Sequence, residues 1–402
     1  MIFLLQTLFY KLLMQATGML LKIVPQPKPT IYCGPGSSLQ LCGNMIQFGY
    51  KHVLIVTDAI LHEMGLLDAV KAKFETAGVR VTVYDGVEPN PTFAQVHAGL
   101  KLAKENSCDA ILTFGGGSPI DTAKVISIAV TNTKTPEQLV GYFKAKNPGL
   151  PLFAVPTTAG TGSEVSLGAV ISDPVSHKKG FVAEPKTIPV AAALDPSVML
   201  GLPAPITAAT GVDALTHAVE AYISKLASDE SDAYAIASVK MIFQNLKEAY
   251  SNGSNIEARE SMALASCYAS LALNKALLGY VHGIAHQFGG YYNTPHGLAN
   301  AIVLPHVLDY SQDACIDRLS ELAVAVELGR DTESKSVLAQ KFVDAVRQLN
   351  SDLNIPSTLD ALNESDIPGI VKAALKESHY TYPVPKYMNQ AQCEALVAKM
   401  VS

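Results

Sequence analysis

Apolar and polar positions follow two different patterns along the chain. From about residue 50, short apolar runs typical of strands alternate with stretches of helical periodicity. The predicted strands are HVLIVT (52–57), VRVTVYDG (79–86), CDAILTF (108–114), PLFAVP (151–156) and IPVAAALD (188–195). The predicted helices between them cover residues 61–77, 92–106 and 118–130. This alternation forms βαβ units, so we expect a parallel sheet with helices on both faces and ligands at the carboxyl ends of its strands.

The pattern changes after Pro203 and Pro205, because the residues beyond them show almost only helical periodicity. We therefore place a domain boundary near residues 203–207. The predicted fold class is an N-terminal α/β domain with a Rossmann-like parallel sheet, residues 23–205, followed by an all-α C-terminal domain, residues 206–402.

Residues 1–22 form an apolar segment that Gln6, Lys11 and Gln15 interrupt at near-helical spacing. This spacing predicts an apolar helix with a narrow polar stripe. Lys11 in mid-span argues against a transmembrane helix, and the basic n-region of a signal peptide is absent. Two interpretations stay open: a helix packed on the protein body or on a second subunit, and a helix lying on a membrane surface.

Composition and charge restrict the class of protein. The chain has 402 residues, of which 49% are hydrophobic and 16% charged, so it is globular and not disordered. Its net charge of -6, without a run of Lys or Arg, argues against nucleic acid as a partner. The six cysteines contain no CxxC pair, which indicates reduced thiols in a cytoplasmic protein and neither a zinc ribbon nor a disulfide framework.

A glycine-rich turn follows the strand CDAILTF, with the sequence GGGSP at 115–119. Three glycines let the backbone approach a phosphate, and the next helix offers free N–H groups and the positive end of its dipole. Ser118 suits the N-cap of that helix and Pro119 its first turn. The spacing is not GxGxxG, and a simple strand–helix turn is the alternative.

Two further features lie where strands end. PTTAGTGSE (156–164) follows the strand PLFAVP, and its small and hydroxylated residues either line the same nucleotide or cap a helix. Asp58 follows the strand that ends in LIVT. A carboxylate there accepts hydrogen bonds from ribose hydroxyls, although an N-cap is the simpler interpretation.

Histidines and a carboxylate cluster in three windows of the helical half. Asp213 and His217 lie four residues apart in GVDALTHAVE, and His282 and His286 repeat that spacing in GYVHGIAHQFGG, so each pair shares one helix face. His296 follows in NTPHGLAN. One carboxylate with several imidazoles suits Fe(II), Zn(II), Mn(II) or Co(II), and the alternative is a set of core histidines.

The chain between His282 and His296 allows the two side chains to meet. Gly289-Gly290 stops one predicted helix, and Thr294-Pro295 begins the next with Thr as the cap and Pro in the first turn. A chain reversal at this break brings His296 back beside His282.

Four motifs together resemble the successive signatures of the iron-containing (group III) alcohol dehydrogenase family. They are GGGSPIDTAK, PTTAGTGSE, ATGVDALTHAVEAYIS and GYVHGIAHQFGGYYNTPHGLANAIVLPH, and the resemblance covers roughly residues 25–402. It implies a dehydroquinate-synthase-like architecture, in which a dinucleotide-binding α/β domain precedes an all-helical domain and the active site lies in the cleft between them. It also implies a homodimer. The apolar residues 1–22 depart from the family pattern, so their role is not inherited.

The resemblance assigns roles to individual residues. Its metal ligands fall on Asp213, His217, His282 and His296, and its further histidine near the nicotinamide falls on His286, which we assign to catalytic proton transfer. Its nucleotide contacts fall on Asp58, Asn90, Gly115, Gly116, Gly117, Ser118, Asp121, Thr157, Thr158 and Lys179. The expected ion is Fe(II), with Zn(II) as the alternative. The expected cofactor is NAD in preference to NADP, because the charge of Asp58 would repel a 2′-phosphate.

The predicted function is hydride transfer between a small alcohol or aldehyde and NAD. A dehydroquinate-synthase-like lyase or a glycerol-dehydrogenase-like enzyme on the same fold is the nearest alternative. The lyase substrate carries phosphate and carboxylate, yet the motif windows of residues 207–300 hold few Lys or Arg. A catalytically inactive nucleotide-binding scaffold is the alternative from another class, and the four intact ligand positions argue against it. We expect a cytoplasmic protein, with contact between residues 1–22 and a membrane surface left open.

Overall fold

The computed structural model describes residues 2–24, 27–173 and 178–402. These divide into two compact units. The α/β unit contains residues 27–173, 178–202 and 254–267, and the helical unit contains residues 2–24, 203–253 and 268–402. The chain leaves the α/β unit after Leu202, beside Pro203 and Pro205, where the sequence pattern changes. The return of residues 254–267 to the α/β unit has no counterpart in that pattern.

Helix α1 (Ile2–Ile23) belongs to the helical unit. Tyr10 and Met14 on one of its faces are buried, and the ring of Tyr10 lies against the rings of His379 and Tyr387. The opposite face carries exposed apolar side chains: Leu4, Leu5, Leu8, Phe9, Leu12, Met19, Leu20 and Ile23. α1 therefore packs along one face and leaves a wide apolar face in contact with solvent.

The α/β unit alternates strands and helices as the sequence predicts. Its strands are β1 (Thr30–Cys33), β2 (His52–Val56), β3 (Arg80–Tyr84), β4 (Ala110–Gly115), β5 (Gly141–Tyr142), β6 (Leu152–Pro156), β7 (Gly168–Asp173), β8 (Lys178–Ala183) and β9 (Ala191–Leu194). Its helices are α2 (Ser37–Gln47), α3 (Ala59–Glu63), α4 (Asp68–Thr76), α5 (Phe93–Glu105) and α6 (Gly117–Thr131).

The large sheet has six strands in the order β1-β9-β6-β4-β2-β3, and every neighbouring pair is parallel. Strands β2, β4 and β6 are buried along their whole length, which explains their nearly continuous apolar sequences. Leu54 and Val56 pack with Ile126 of α6 on one face, and Val53 packs with Phe74 of α4 on the other. Helices on both faces of a parallel sheet confirm the predicted α/β fold.

A second, three-stranded sheet in the order β5-β8-β7 was not predicted. Its strands β7 and β8 pair antiparallel, and glycines and charged residues interrupt the apolar pattern in KKGFVA, so no strand signal stands out there. The predicted helix 61–77 is also two helices, α3 and α4. Gly65 lies between them with a φ of 73°, a left-handed conformation that glycine adopts without steric cost.

The helical unit contains the remaining helices. They are α7 (Ala204–Ile223), α8 (Asp229–Ser251), α9 (Ile256–Ala276), α10 (Tyr280–Tyr292), α11 (His296–Ser311), α12 (Ile316–Ala325), α13 (Lys335–Asp352), α14 (Ile367–Thr381) and α15 (Gln390–Val397). The first part of α9, up to Cys267, belongs to the α/β unit. Of the helices described, none by itself is long and apolar enough to cross a membrane, while the bent pair α9 and α10 meets that criterion only jointly, by length and composition.

Two glycines let helices of this unit approach closely. A Cβ atom on Gly297 would lie 2.4 Å from the backbone oxygen of Ala209, so α11 contacts the backbone of α7 at this point. A Cβ atom on Gly283 would lie 2.1 Å from Oγ of Ser378, which brings α10 close to α14. Small residues at these positions therefore determine how near α7, α10, α11 and α14 lie to one another.

Candidate metal centre and nucleotide site

The four predicted metal ligands lie together in the helical unit. Asp213 and His217 lie one turn apart on α7, His282 lies on α10, and His296 is the first residue of α11. One ligand atom from each residue lies within 4.8 Å of the other three. The chain does return His296 to His282, but the predicted helix signals were wrong in position. Helix α10 runs through Gly289 and Gly290 to Tyr292 and ends at Asn293, whose φ of 54° is left-handed. The N-cap of α11 is Pro295, so Thr294 does not cap that helix.

All three imidazoles direct Nε2 toward one carboxylate oxygen. From Oδ1 of Asp213 the distances to Nε2 are 3.9 Å for His217, 3.8 Å for His282 and 3.6 Å for His296. The rings of His217 and His282 stack with their centroids 4.7 Å apart. Asp213, His217 and His282 are buried, whereas His296 is one-third exposed, so solvent reaches the cluster at His296.

The amide of Asn300 lies in the middle of this cluster. Its Nδ2 lies 2.6 Å from Oδ1 of Asp213 and 3.1 Å from Nε2 of both His282 and His296. Asn300 is fully buried, and in the described part of the chain its Oδ1 has no hydrogen-bond partner. The lone pairs of the carboxylate and the imidazoles thus converge on the amide of Asn300, which is a weak hydrogen-bond donor. A cation would interact with these lone pairs more strongly. Three imidazoles and one carboxylate therefore fit a divalent ion such as Fe(II) or Zn(II).

Behind the cluster, a buried carboxylate contacts His282. Oε2 of Glu220 lies 2.7 Å from Nδ1 of His282 and accepts from the N–H of Gly279 at 3.0 Å, while Oε1 accepts from the N–H of Val281 at 2.7 Å. Burial raises the pKa of Glu220 to about 8, and the charge of Asp213 adds to this, whereas the backbone donors oppose it. The donors satisfy both oxygens of the carboxylate.

His286 lies beside the cluster but is not one of the four converging residues. Its ring stacks on that of His296 with the centroids 5.4 Å apart. Its Nδ1 lies 2.7 Å from Oε1 of Glu377, which also accepts from the hydroxyl of Tyr382 at 2.6 Å. The same glutamate accepts from Nε2 of Gln287 through Oε2 at 3.2 Å. These contacts hold the ring of His286 at its Nδ1 side.

The glycine-rich turn joins β4 to α6 in the α/β unit. The N-cap of α6 is Gly116, with no side-chain cap, so the expectation that Ser118 caps this helix is wrong. The helix starts at Gly117, two residues before the start that a Ser118 cap would give, so Ser118 lies in its first turn. No side chain caps the first N–H groups of α6, and a phosphate contact at these groups stays a prediction.

The second predicted turn packs on the first. The N–H of Thr157 donates to the carbonyl of Gly115 at 3.1 Å. A Cβ atom on Gly116 would lie 3.3 Å from Oγ1 of Thr158, and one on Gly117 would lie 2.8 Å from Cγ2 of Thr161. Because β4 and β6 are neighbours, both turns lie at the carboxyl edge of the sheet, where doubly wound sheets bind ligands.

Asp58 is the N-cap of α3. Its Oδ1 accepts from the N–H of Leu61 at 2.9 Å, and its backbone bridges to Gly86 after β3. The cap interpretation therefore holds, and a ribose contact through the same carboxylate stays a prediction.

Three other residues predicted to contact the nucleotide, Asn90, Asp121 and Lys179, lie at or next to residues that contact strand β7. The N–H of Ser172 donates to the carbonyl of Pro91, next to Asn90, and Ser172 pairs with Lys179 across the small sheet. The carboxylate of Asp121 accepts from Oγ of Ser163 at 2.5 Å and from the N–H of Val170 at 2.8 Å. Asp121 thus ties α6 to β7, and burial raises the pKa of its carboxyl.

Both halves of the chain match models of one protein family. Residues 27–196 match the model described as iron-containing alcohol dehydrogenase, and residues 207–401 match that of the C-terminal part of the Fe-containing alcohol dehydrogenase family. The chain belongs to the iron-containing alcohol dehydrogenase family. This membership confirms the predicted metal-dependent alcohol dehydrogenase.

Individual relatives of this dehydrogenase extend over most of its length. It is 43% identical over 337 residues to the 1,3-propanediol dehydrogenase of Citrobacter freundii. The alignment covers 82% of this chain and 87% of that protein. It is 38% identical over 351 residues to the NAD-dependent methanol dehydrogenase of Bacillus methanolicus. This alignment covers 87% of this chain and 92% of the methanol dehydrogenase. A crystal structure of 1,3-propanediol oxidoreductase superposes with a TM-score of 0.90 at 38% identity, covering 94% of this chain and 99% of that one.

Sequence reasoning missed several residues that contact the predicted site residues of this dehydrogenase. Glu220 was detectable, because positions 213, 217 and 220 share one face of α7. Asn300 lies four residues after His296 and was detectable in the same way. Lys124 of the IDTAK motif gave no signal as a site residue, yet its buried ammonium donates to Ser163 of the second turn and to Ser166 just after it. Burial lowers its pKa to about 8.

Proposed function

We propose that this dehydrogenase transfers hydride reversibly between a small, weakly charged alcohol and NAD, with one divalent ion held by Asp213, His217, His282 and His296. The observation that carries the proposal is the convergence of four ligand atoms within 4.8 Å in a largely buried cluster. Iron is the first candidate for the ion because of the family, and zinc is the second because its ligand preferences are similar.

The ion supplies Lewis acidity toward the alcohol or aldehyde oxygen, while the nicotinamide supplies the hydride chemistry. Asp213, His217 and His282 place their ligand atoms away from solvent, which keeps water out of this side of the site. His286 is held at Nδ1 by Glu377, so Nε2 is the atom that we expect to give or take the substrate proton. An imidazole suits this exchange because it can both take and give a proton.

The primary test is turnover by the anaerobically purified enzyme, assayed through NADH absorbance with a panel of short alcohols and aldehydes. We expect turnover of small uncharged substrates and its loss on chelation, with recovery when Fe(II) or Zn(II) is restored. Turnover that survives complete removal of the metal contradicts the proposal.

We also propose that the enzyme prefers NAD to NADP. Asp58 follows β2 at the carboxyl edge of the sheet, where a carboxylate accepts from a ribose 2′-hydroxyl and repels a 2′-phosphate. A methanol dehydrogenase named as NAD-dependent among its relatives supports this preference.

Two substitutions separate the charge of Asp58 from its role as the N-cap of α3. Asp58→Ser removes the charge and keeps a capping oxygen, whereas Asp58→Gly removes both side-chain functions. Both variants should use NADP better relative to NAD than the wild type does. If kcat/KM for NADP relative to NAD is unchanged in both, Asp58 is only a cap.

We further propose a cytoplasmic homodimer in which residues 1–22 are dispensable for chemistry. The exposed apolar face of α1 supports a contact outside the subunit, either with a second copy or with a membrane surface. Light scattering on the full chain and on a truncation lacking residues 1–22 tests the first contact, and co-sedimentation with liposomes tests the second. A truncated enzyme with normal metal content and no turnover contradicts dispensability.

A further inference from the structure

Glu220 is a buried acid that the proposed chemistry does not use. It lies on α7, three residues after His217, and its side chain is 2% exposed. Its contacts cross to the start of α10, where it meets the N–H groups of Gly279 and Val281 and the ring of His282. Burying a charged group costs free energy unless hydrogen-bond donors or a cation compensate the charge. The burial of a glutamate at this position therefore needs an explanation.

The ring of His282 has two nitrogens with separate partners. Nδ1 lies 2.7 Å from Oε2 of Glu220, and Nε2 lies 3.8 Å from Oδ1 of Asp213 inside the cluster. Beside a bound divalent cation Glu220 is ionised despite its burial, because the positive charge favours the negative form. A carboxylate only accepts, so Nδ1 then carries the proton of the ring. The lone pair of Nε2 is then directed into the cluster, which is the state of the ring that a metal ion binds.

The start of α10 depends on the same carboxylate. Gly279, the N-cap of α10, has no side chain to cap the helix, and Glu220 accepts from its N–H and from that of Val281 instead. A Cβ atom on Gly279 would lie 2.7 Å from Oε1 of Glu220, so only glycine permits this approach. The carboxylate thus holds both the helix that carries His282 and the ring itself.

We infer that Glu220 is a positioning residue for the metal, which fixes the Nδ1-protonated tautomer of His282 and supplies a second negative charge beside the ion. Together with Asp213 it balances the charge of a divalent cation in a buried cluster. The inference rests on the proposed metal site and adds a residue outside the four ligands. Carboxylate partners of ligating histidines alter metal affinity by about 10–100-fold when they are removed.

Metal affinity in Glu220→Gln tests the inference without any reading of turnover. The amide keeps the volume but offers one acceptor oxygen in place of two, so at least one of the three donors loses its partner. We expect zinc to leave this variant at about 10–100-fold lower concentrations of a competing chelator than it leaves the wild type. The matched control is Glu377→Gln, because Glu377 lies at the same 2.7 Å from Nδ1 of His286, and it should leave the chelator midpoint unchanged.

The results separate the inference from the metal site on which it rests. If the wild type holds no ion, or if His282→Ala keeps it, the proposed site fails. If the wild type holds an ion, His282→Ala loses it, and Glu220→Gln keeps the wild-type chelator midpoint, the site stands and the role of Glu220 is overturned. A lower thermal midpoint of metal-free Glu220→Gln with an unchanged chelator midpoint also overturns it, because Glu220 would then be only a helix cap.

A second measurement uses the wild type and so does not depend on how a variant folds. In zinc-loaded protein labelled with ¹⁵N at histidine, the signals of His282 should show a protonated Nδ1 and a metal-bound Nε2. Assignment follows from through-bond correlation of the ring nitrogens with the backbone of His282 in wild-type protein that is also labelled with ¹³C. A proton on Nε2, or an unprotonated Nδ1, overturns the inference.

Discussion

Two histidine–carboxylate pairs on one helix show how burial separates two roles. His282 and His286 lie one turn apart on α10, and each has Nδ1 at 2.7 Å from a glutamate, Glu220 and Glu377 respectively. The first pair is 1% and 2% exposed, whereas the second is 18% and 29% exposed. The same local chemistry therefore occurs once inside the helical unit and once near its surface.

The difference in burial accounts for the difference in proposed function. Nε2 of His282 meets Asp213 among buried ligands, where a fixed lone pair and a low local dielectric favour a metal ion. His286 stacks on the one-third exposed His296, and solvent can reach its carboxylate partner, which favours proton exchange. A catalytic ion also needs an open coordination position, and a fifth protein ligand would fill it. The pairs should thus respond differently to substitution.

Loss of the buried histidine should have the largest effect. His282→Ala removes one of the four ligands, so we expect the ion to be lost and turnover to fall to the background of the assay. His97→Ala is the matched control, since His97 forms an exposed pair with Glu137 in the α/β unit and should keep both metal and turnover. Full metal occupancy in His282→Ala would mean that His282 is not a ligand.

Loss of the half-buried histidine should have a smaller and different effect. His286→Ala should keep its metal and lose about 10²–10⁴-fold in turnover, the usual contribution of general acid–base catalysis. Metal content and kcat are measured on the same preparation. If turnover hardly changes, His286 only packs beside the site.

Removal of the partner of His286 should have a weaker effect again. Glu377→Gln keeps the shape but loses the charged acceptor for Nδ1, and hydrogen bonds to charged groups contribute about 1.5–3 kcal/mol, equivalent to about 10–100-fold. We expect turnover to fall within that range, with a changed pH profile of kcat and normal metal content. A loss of metal would remove the distinction between the two pairs.

The smallest effect is expected where α10 meets α14. In Gly283→Ala the new Cβ meets Oγ of Ser378, a side chain that can rotate away, so overpacking should cost about 1–3 kcal/mol of stability. Turnover should fall a few-fold because Glu377 adjoins Ser378, while the metal stays. Gly290→Ala on the same helix is the control, since no atom lies within 4 Å of its Cβ and alanine favours a helix. Greater destabilisation by Gly290→Ala, measured by denaturant unfolding, would contradict this packing.

Features with regular periodicity were predictable from the sequence. The apolar runs of β2, β4 and β6 predicted a buried parallel sheet, and the four-residue spacing of Asp213 and His217 predicted a shared face on α7. The return of His296 to His282 was predictable, but its position was not, because α10 continues through Gly289 and Gly290 and ends at the left-handed Asn293.

Features that depend on tertiary contacts were not predictable in the same way. The start of α6 at Gly117 and not after Ser118 depends on the packing of the glycine turn against Thr158 and Thr161. The contact of His286 with Glu377 joins residues 91 positions apart, which no local pattern encodes. The β7–β8 pairing likewise depends on contacts within the α/β unit and not on a strong strand pattern.

Metal content measured side by side in six proteins tests the central claim most directly. The set is the anaerobically purified wild type, the four single alanine variants of Asp213, His217, His282 and His296, and His286→Ala. We predict one ion per chain in the wild type and in His286→Ala, and a large loss in each of the other four. Retention of the full ion content in any of those four, or its loss from His286→Ala, would contradict the proposed four-residue metal site.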